Sequence, residues 1–182
     1  LDDMEQFAYE VMLGFQSEAN KHGFGITLIS VNEHEMKTGL YTNKIDLKMY
    51  RGCFFAGFRP HDSFAAEMER TKTPVVILDN DYDSVFAARI GCDHSLGIKQ
   101  AVAHLVSLGH KLIGFLGGER ESNVSEERGL AYKETLLRSG IKPDIRLCAS
   151  SSFTHKFGNE MVLELVRQGA TAIVCASDII AI

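Results

Sequence analysis

Apolar positions recur every four residues near the start of the chain. Phe7, Val11, Phe15 and Ala19 form the buried stripe of a helix predicted over 3–22, which Gly23 ends. GITLISV (25–31) reads as a β-rich apolar strand, and a helix is expected near 44–51. Two continuous apolar runs bounded by turn residues, GCFFAG (52–57) and PVVIL (74–78), predict buried strands. A short helix is predicted over 62–72 and a short strand over 87–92. Asp93 is placed to cap a helix reaching Leu108, with a stripe of Ile98, Ala101, Val102, Leu105 and Leu108 and a closing Gly109. KLIGFL (111–116) predicts a strand. Asn123 and Glu126 have capping-box spacing for a helix running to Arg138. A strand at 145–149, a helix at 154–168, a strand at 171–176 and a helix opening in SDIIAI complete the pattern.

Strands alternating with helices predict parallel sheets wrapped by helices, a doubly wound α/β fold. The rhythm breaks near Asp93, which places a boundary between an N-terminal lobe, 1–93, and a C-terminal lobe, 94–182. Both ends read as incomplete. The first residues are helical with no strand before them, and the last helix stops before a C-cap, so the sequence is expected to be a piece of a longer chain.

Composition narrows the function. The chain has 182 residues, 45% apolar and 24% charged, an ordinary globular balance that excludes a disordered or collagen-like chain. No run approaches the ~18 apolar residues of a transmembrane helix. The net charge of −5 gives this stretch no electrostatic reason to bind nucleic acid or an anionic membrane. The four cysteines, Cys53, Cys92, Cys148 and Cys175, form no C-x-x-C pair. They are expected as buried reduced thiols, consistent with a cytoplasmic protein. The N-terminus lacks the basic and apolar regions of a signal peptide.

In open α/β sheets ligands bind beyond the carboxyl ends of strands, where helix N-termini offer free N–H groups. Those positions hold Phe58 and Arg59; Asp79, Asn80 and Asp81; Gly117 to Arg120, with Arg128 in the next helix; Ser150, Ser151 and Phe153; and Ser177 and Asp178. Carboxylates that accept from hydroxyls and an Arg fork that donates suit a neutral, polyhydroxylated ligand. Each has a plainer reading: Asp79 and Asp178 as caps, Arg128 as a surface residue paired with Glu121 or Glu126, Gly117-Gly118 as a tight turn. Catalytic patterns are poor. G-x-G-x-x-G, the P-loop, G-x-S-x-G and H-E-x-x-H are all absent. His94, His104 and His110 lack the spacing of zinc ligands, and His104 and His110 are expected to pack or cap. No cofactor, metal site or catalytic residue is assigned.

The stretch DHSLGIKQAVAHLVSLGHKLIGFLGG, Asp93 to Gly118, closely resembles the LacI/GalR family of bacterial transcription regulators. Asp93, Gly97, Ala101, His104, Leu105, Leu108, Gly109, His110, Ile113, Gly117 and Gly118 match its pattern. Phe7 with Gly14, Gly23-Phe24, Thr73 to Asp79, Arg128 to Tyr132 and Ala176 to Ala181 match in order and spacing. Ser177 stands where members usually carry Asn, and Leu40 to Arg51 lacks the usual charged pattern.

The resemblance implies a two-lobed, periplasmic-binding-protein-like type I fold that senses a small, sugar-like effector and performs no chemistry. It also implies a homodimer that acts on operator DNA through a headpiece absent from this chain, with the first strand and final segment of the domain absent too. Carried over by position, the effector contacts are Asp79, Arg128, Ser177 and Asp178, with Phe7 near the first helix and Phe58 and Arg59 at a strand end. Met4, Tyr9 and Met12 give the first helix more apolar surface than a solvated face needs. Two other readings stand beside this one. One is an extracytoplasmic sugar-binding protein of an uptake system with the same fold. The other is an α/β enzyme using Asp79 or Asp178 as a base.

Overall fold

The computed structural model describes residues 3–38, 44–57, 70–80, 82, 84–119, 122–150 and 158–182. In chain order the helices and strands are α1 (Asp3–Lys21), α2 (Glu33–Thr38), β1 (Cys53–Phe55), β2 (Val75–Leu78), β3 (Ala87–Ile90), α3 (His94–Ser107), β4 (Ile113–Gly117), α4 (Asn123–Arg138), β5 (Cys148–Ser150), α5 (Gly158–Arg167), β6 (Ala172–Cys175) and α6 (Asp178–Ala181). Short 3-10 turns lie at Leu47–Met49 and Ile145–Leu147.

The strands form two parallel sheets, ordered β1-β2-β3 and β5-β4-β6. Central strand β4 is buried at every residue, as a parallel strand covered on both faces must be. β2 buries Val75 and Ile77 and turns Val76 and Leu78 away from the core. Parallel neighbours need crossovers, and the chain makes them with α4 between β4 and β5 and with α5 between β5 and β6.

Each sheet has its own core. Ile45, Leu47, Phe55, Val75 and Ile77 form one. The other gathers Ile98 and Val102 of α3, Ile113, Phe115 and Leu116 of β4, Ala131, Tyr132 and Leu136 of α4, and Leu165, Val174, Ala176 and Ile180. Tyr132 is fully buried and stacks on Phe115 with ring centroids 4.9 Å apart. Its hydroxyl donates to the Ile113 carbonyl at 2.7 Å, which satisfies a group that would otherwise be costly to bury. Burial pushes the Tyr132 phenol well above its ordinary value.

Several expectations are corrected. Residues 25–31 form no strand: a strand is held by its ladder partner, and no described strand runs beside them. Leu28 is 73% exposed, while Ile29 and Val31 pack on the smaller core. The stripe of α1 is not buried within this chain. Phe7 and Phe15 are 55% and 43% exposed, although Phe15 stacks on Phe54 at 5.3 Å. Tyr9 is exposed and Met12 half-buried; the Met4 side chain lies outside the described residues. In α3, Ile98 and Val102 are buried, but Ala101 faces outward, as does Leu108 just past the helix end. Near 44–51 only the turn at Leu47–Met49 forms, capped by Asp46. Residues 62–69 of the predicted short helix lie outside the described residues, and 70–72 are not helical. The strand expected at 145–149 begins at Cys148, because Asp144 accepts from Arg146 N–H and starts a 3-10 turn.

The cysteines are free, as expected, but none is fully buried: Cys92 is exposed, and Cys53, Cys148 and Cys175 are half-buried.

Candidate functional site

The capping chemistry at the chain's midpoint sets the geometry. Asp93 Oδ1 accepts from Leu96 N–H at 2.7 Å and starts α3 there. His94 is thereby fixed in the helix's first turn, buried between the two sheets' loop ends. Its Nε2 lies 3.0 Å from Asp79 Oδ1, and its Nδ1 lies 2.8 Å from Arg128 Nη2.

Asp79 follows β2 directly. Its φ of 59° is the only positive value among the described non-glycine residues, a conformation that costs energy and persists where its surroundings enforce it. Its N–H donates to Ile90 O at 2.9 Å, so the end of β3 helps to hold it.

Arg128 lies in the second turn of α4 and reaches across to the end of β6, where Nη1 donates to the Ala176 carbonyl. Burial pulls the guanidinium below its ordinary value. The carboxylates of Asp79, Glu127 and Asp178 offset part of that shift. A guanidinium stays charged through such shifts. The surface pairing of Arg128 with Glu121 or Glu126 is thus replaced by His94 and Ala176.

Two more polar contacts join the halves. Asn123 Nδ2 donates to Asn80 Oδ1 at 2.6 Å, and Arg89 of β3 stands 3.5 Å from Glu127 of α4. Asn123 is therefore not the cap of α4. Ser122 takes that position without a side-chain bond, and the Asn123 amide is spent on Asn80.

Ser177 and Asp178 open α6 just past β6. Ser177 Oγ is buried and has no hydrogen-bond partner among the described residues. Asp178 is exposed, and it acts on Arg128 through its charge. Asp79, Asn80, His94, Arg128, Ser177 and Asp178 line one open cleft of about 2450 Å³, with Phe7 of α1 also on its wall. Phe58 and Arg59 lie outside the described residues. His104 and His110 stand apart; His110 Nδ1 is 2.9 Å from Thr171 Oγ1, an end-of-helix contact.

The sequence reading missed His94. Its signal was the position right after a helix cap at the break between two βα series. The role of Asn123 was hidden behind a plausible capping box.

Residues 2–182 match the family model described as "Periplasmic binding proteins and sugar binding domain of LacI family". The chain belongs to this family. It is 25% identical over its whole length to the HTH-type transcriptional repressor CytR of Escherichia coli K12, of which it covers 54%. It is 30% identical over 140 residues to the HTH-type transcriptional regulator AscG of the same organism, covering 76% of this chain and 42% of AscG. The chain thus spans about half the length of the curated relatives it matches. The crystal structure of AscG superposes with a TM-score of 0.74 at 24% identity, over 99% of this chain and 67% of that one. That of CcpA from Lactococcus lactis gives 0.79 at 22% identity, over 94% and 63%. These likenesses show the periplasmic-binding-protein-like α/β fold. The LacI-type domain has parallel sheets, and its polar cleft residues stand where the sheets' strand ends meet. Among the described residues, no helix is long and apolar enough to cross a membrane.

Proposed function

We propose that this LacI-type domain is the effector-sensing part of a bacterial transcription regulator, and that it binds a small, uncharged, polyhydroxylated molecule without transforming it. One observation carries the reading: Asp79 from one sheet and Arg128 from the helix above the other converge on His94 at a shared cleft. A ligand held by both would fix the angle between 1–93 and 94–182, which act as two lobes in this proposal.

The charges support the ligand class. On the cleft wall Asp79 and Asp178 stand near Arg128, a surplus of carboxylates that disfavours phosphates and welcomes hydroxyl donors. The unpartnered Ser177 Oγ adds a hydroxyl on the same wall. Phe7 supplies an apolar surface, and we assign Asp79, Arg128, Ser177, Asp178 and Phe7 as effector contacts.

The relatives CytR and AscG carry the names of helix-turn-helix regulators, which favours a cytoplasmic sensor over an uptake protein and over an enzyme. Operator DNA would be bound through a headpiece outside these residues. The exposed Tyr9 and Leu13 of α1 favour a homodimer, which matches two half-sites on DNA.

An effector that prefers one lobe arrangement must shift operator affinity by the same coupling, roughly 5- to 150-fold. The experiment is operator affinity of the full-length protein at fixed salt, with a panel of sugars, sugar phosphates and nucleosides. Compounds that bind the cleft and leave operator affinity unmoved would overturn the sensor reading.

A further inference from the structure

We infer that His94 is a positioning residue of the effector site. Its neutral ring stands as a spacer between Arg128 and Asp79, prevents them from closing into a direct ion pair, and so keeps Asp79 open to a ligand hydroxyl. The inference rests on reading the cleft as a ligand site.

The hydrogen-bond inventory leaves one arrangement. A guanidinium nitrogen can only donate, so His94 Nδ1, 2.8 Å from Arg128 Nη2, must accept and carries no proton. The ring's single proton is then on Nε2, which donates to Asp79 Oδ1 at 3.0 Å. An imidazolium would set an N–H against the Arg128 N–H. Cation, neutral ring and anion thus stand in line across the two halves of the chain.

Without the ring, a guanidinium and a carboxylate sharing a low-dielectric cleft would pair bidentately, the strongest arrangement open to them. Such a pair would occupy the acceptor that a ligand hydroxyl needs. With the ring present, Asp79 spends only Oδ1, and Oδ2 accepts from none of the described residues. Arg128 is held on its other arm by Ala176 O, so both charged side chains are anchored before a ligand arrives. Asp79 is fixed from its backbone as well, by its positive φ and by its bond to Ile90 O.

The first test uses the full-length protein, free of ligand, with 15N in its histidines, read by NMR at neutral pH. His94→Gln identifies the His94 signals by their loss. The expected result is a neutral ring protonated at Nε2. An imidazolium or an Nδ1–H tautomer overturns the inference.

The second test is a pair of crystal structures of the full-length variants His94→Gln and His94→Ala. The Gln amide still offers one acceptor and one donor, and it is expected to keep Asp79 and Arg128 apart. The Ala side chain offers neither, and Asp79 and Arg128 are expected to meet in a direct ion pair. If they stay in place in His94→Ala, or pair directly in His94→Gln, the spacer role is wrong. Should His94→Ala not fold, the tautomer and the Gln structure decide. Neither test uses an effector, so failure here is distinguishable from failure of the sensor reading.

Discussion

Gly91 lies directly beneath Asp79: a Cβ built on Gly91 would stand 2.4 Å from Asp79 Oδ1. That is closer than real contacts allow, so the carboxylate occupies the space where a side chain at 91 would be. Oδ1 is also the oxygen that accepts from His94. The residue at 91 therefore sets whether Asp79 can reach His94.

Gly91→Ala is expected to push the Asp79 carboxylate off His94. The obstruction is the end of a side chain rather than backbone, but moving it leaves the buried His94 N–H without its acceptor, so a loss of about 1–3 kcal/mol of stability is expected. The check is the His94 ring 15N signal beside a urea melt. An unchanged His94 signal would show that Asp79 has room to spare.

Arg128→Ala removes a charged donor from the cleft and leaves the Ala176 carbonyl unpaired. Hydrogen bonds to charged groups contribute about 1.5–3 kcal/mol, so effector affinity should fall by about tenfold or more. Calorimetric titration of the full-length variant, using an effector found with the panel, reads this directly. Equal affinity in a folded variant would remove Arg128 from the site.

Tyr132→Phe keeps the stacking on Phe115 and deletes one hydroxyl. The Ile113 carbonyl then loses its buried donor, an expected loss of about 1–3 kcal/mol of stability. Denaturant unfolding of the two proteins side by side is the measurement. A midpoint shift within error would mean that another group, or water, takes over the carbonyl.

Thiol reactivity should separate the cysteines. Cys92 is exposed, while burial pushes the thiols of Cys53, Cys148 and Cys175 above their ordinary value. A raised value means less thiolate at neutral pH, and the thiolate is the reactive form. Iodoacetamide near pH 7 is therefore expected to label Cys92 first, with the other three gaining reactivity as pH rises. Peptide mass spectrometry checks the order, and early labelling of Cys148 would contradict it.

The sequence by itself determined the α/β class, the positions of β2, β4 and β6, and the helices α3 and α4. Their apolar runs and caps are local signals: Asp93 caps wherever the chain goes next, KLIGFL is apolar enough to need cover on both faces, and PVVIL is apolar enough to be a strand, although it buries only Val75 and Ile77. It also put Asp79, Arg128, Ser177 and Asp178 on the candidate list, because the strand-end rule needs only element order. Tertiary structure decided the rest. Residues 25–31 have the composition of a strand, yet a strand exists only through hydrogen bonds to a neighbour, and composition does not name one. The α1 stripe has helical spacing, but spacing does not say what covers it. Asn123 could cap its own helix or reach Asn80, and only the folded loops put Asn80 2.6 Å away. The same holds for His94, which stands far in sequence from both Asp79 and Arg128. Its contacts come from the residue after β2 and from α4, which the packing of the sheets brings to the start of α3, and that information is not in any local pattern.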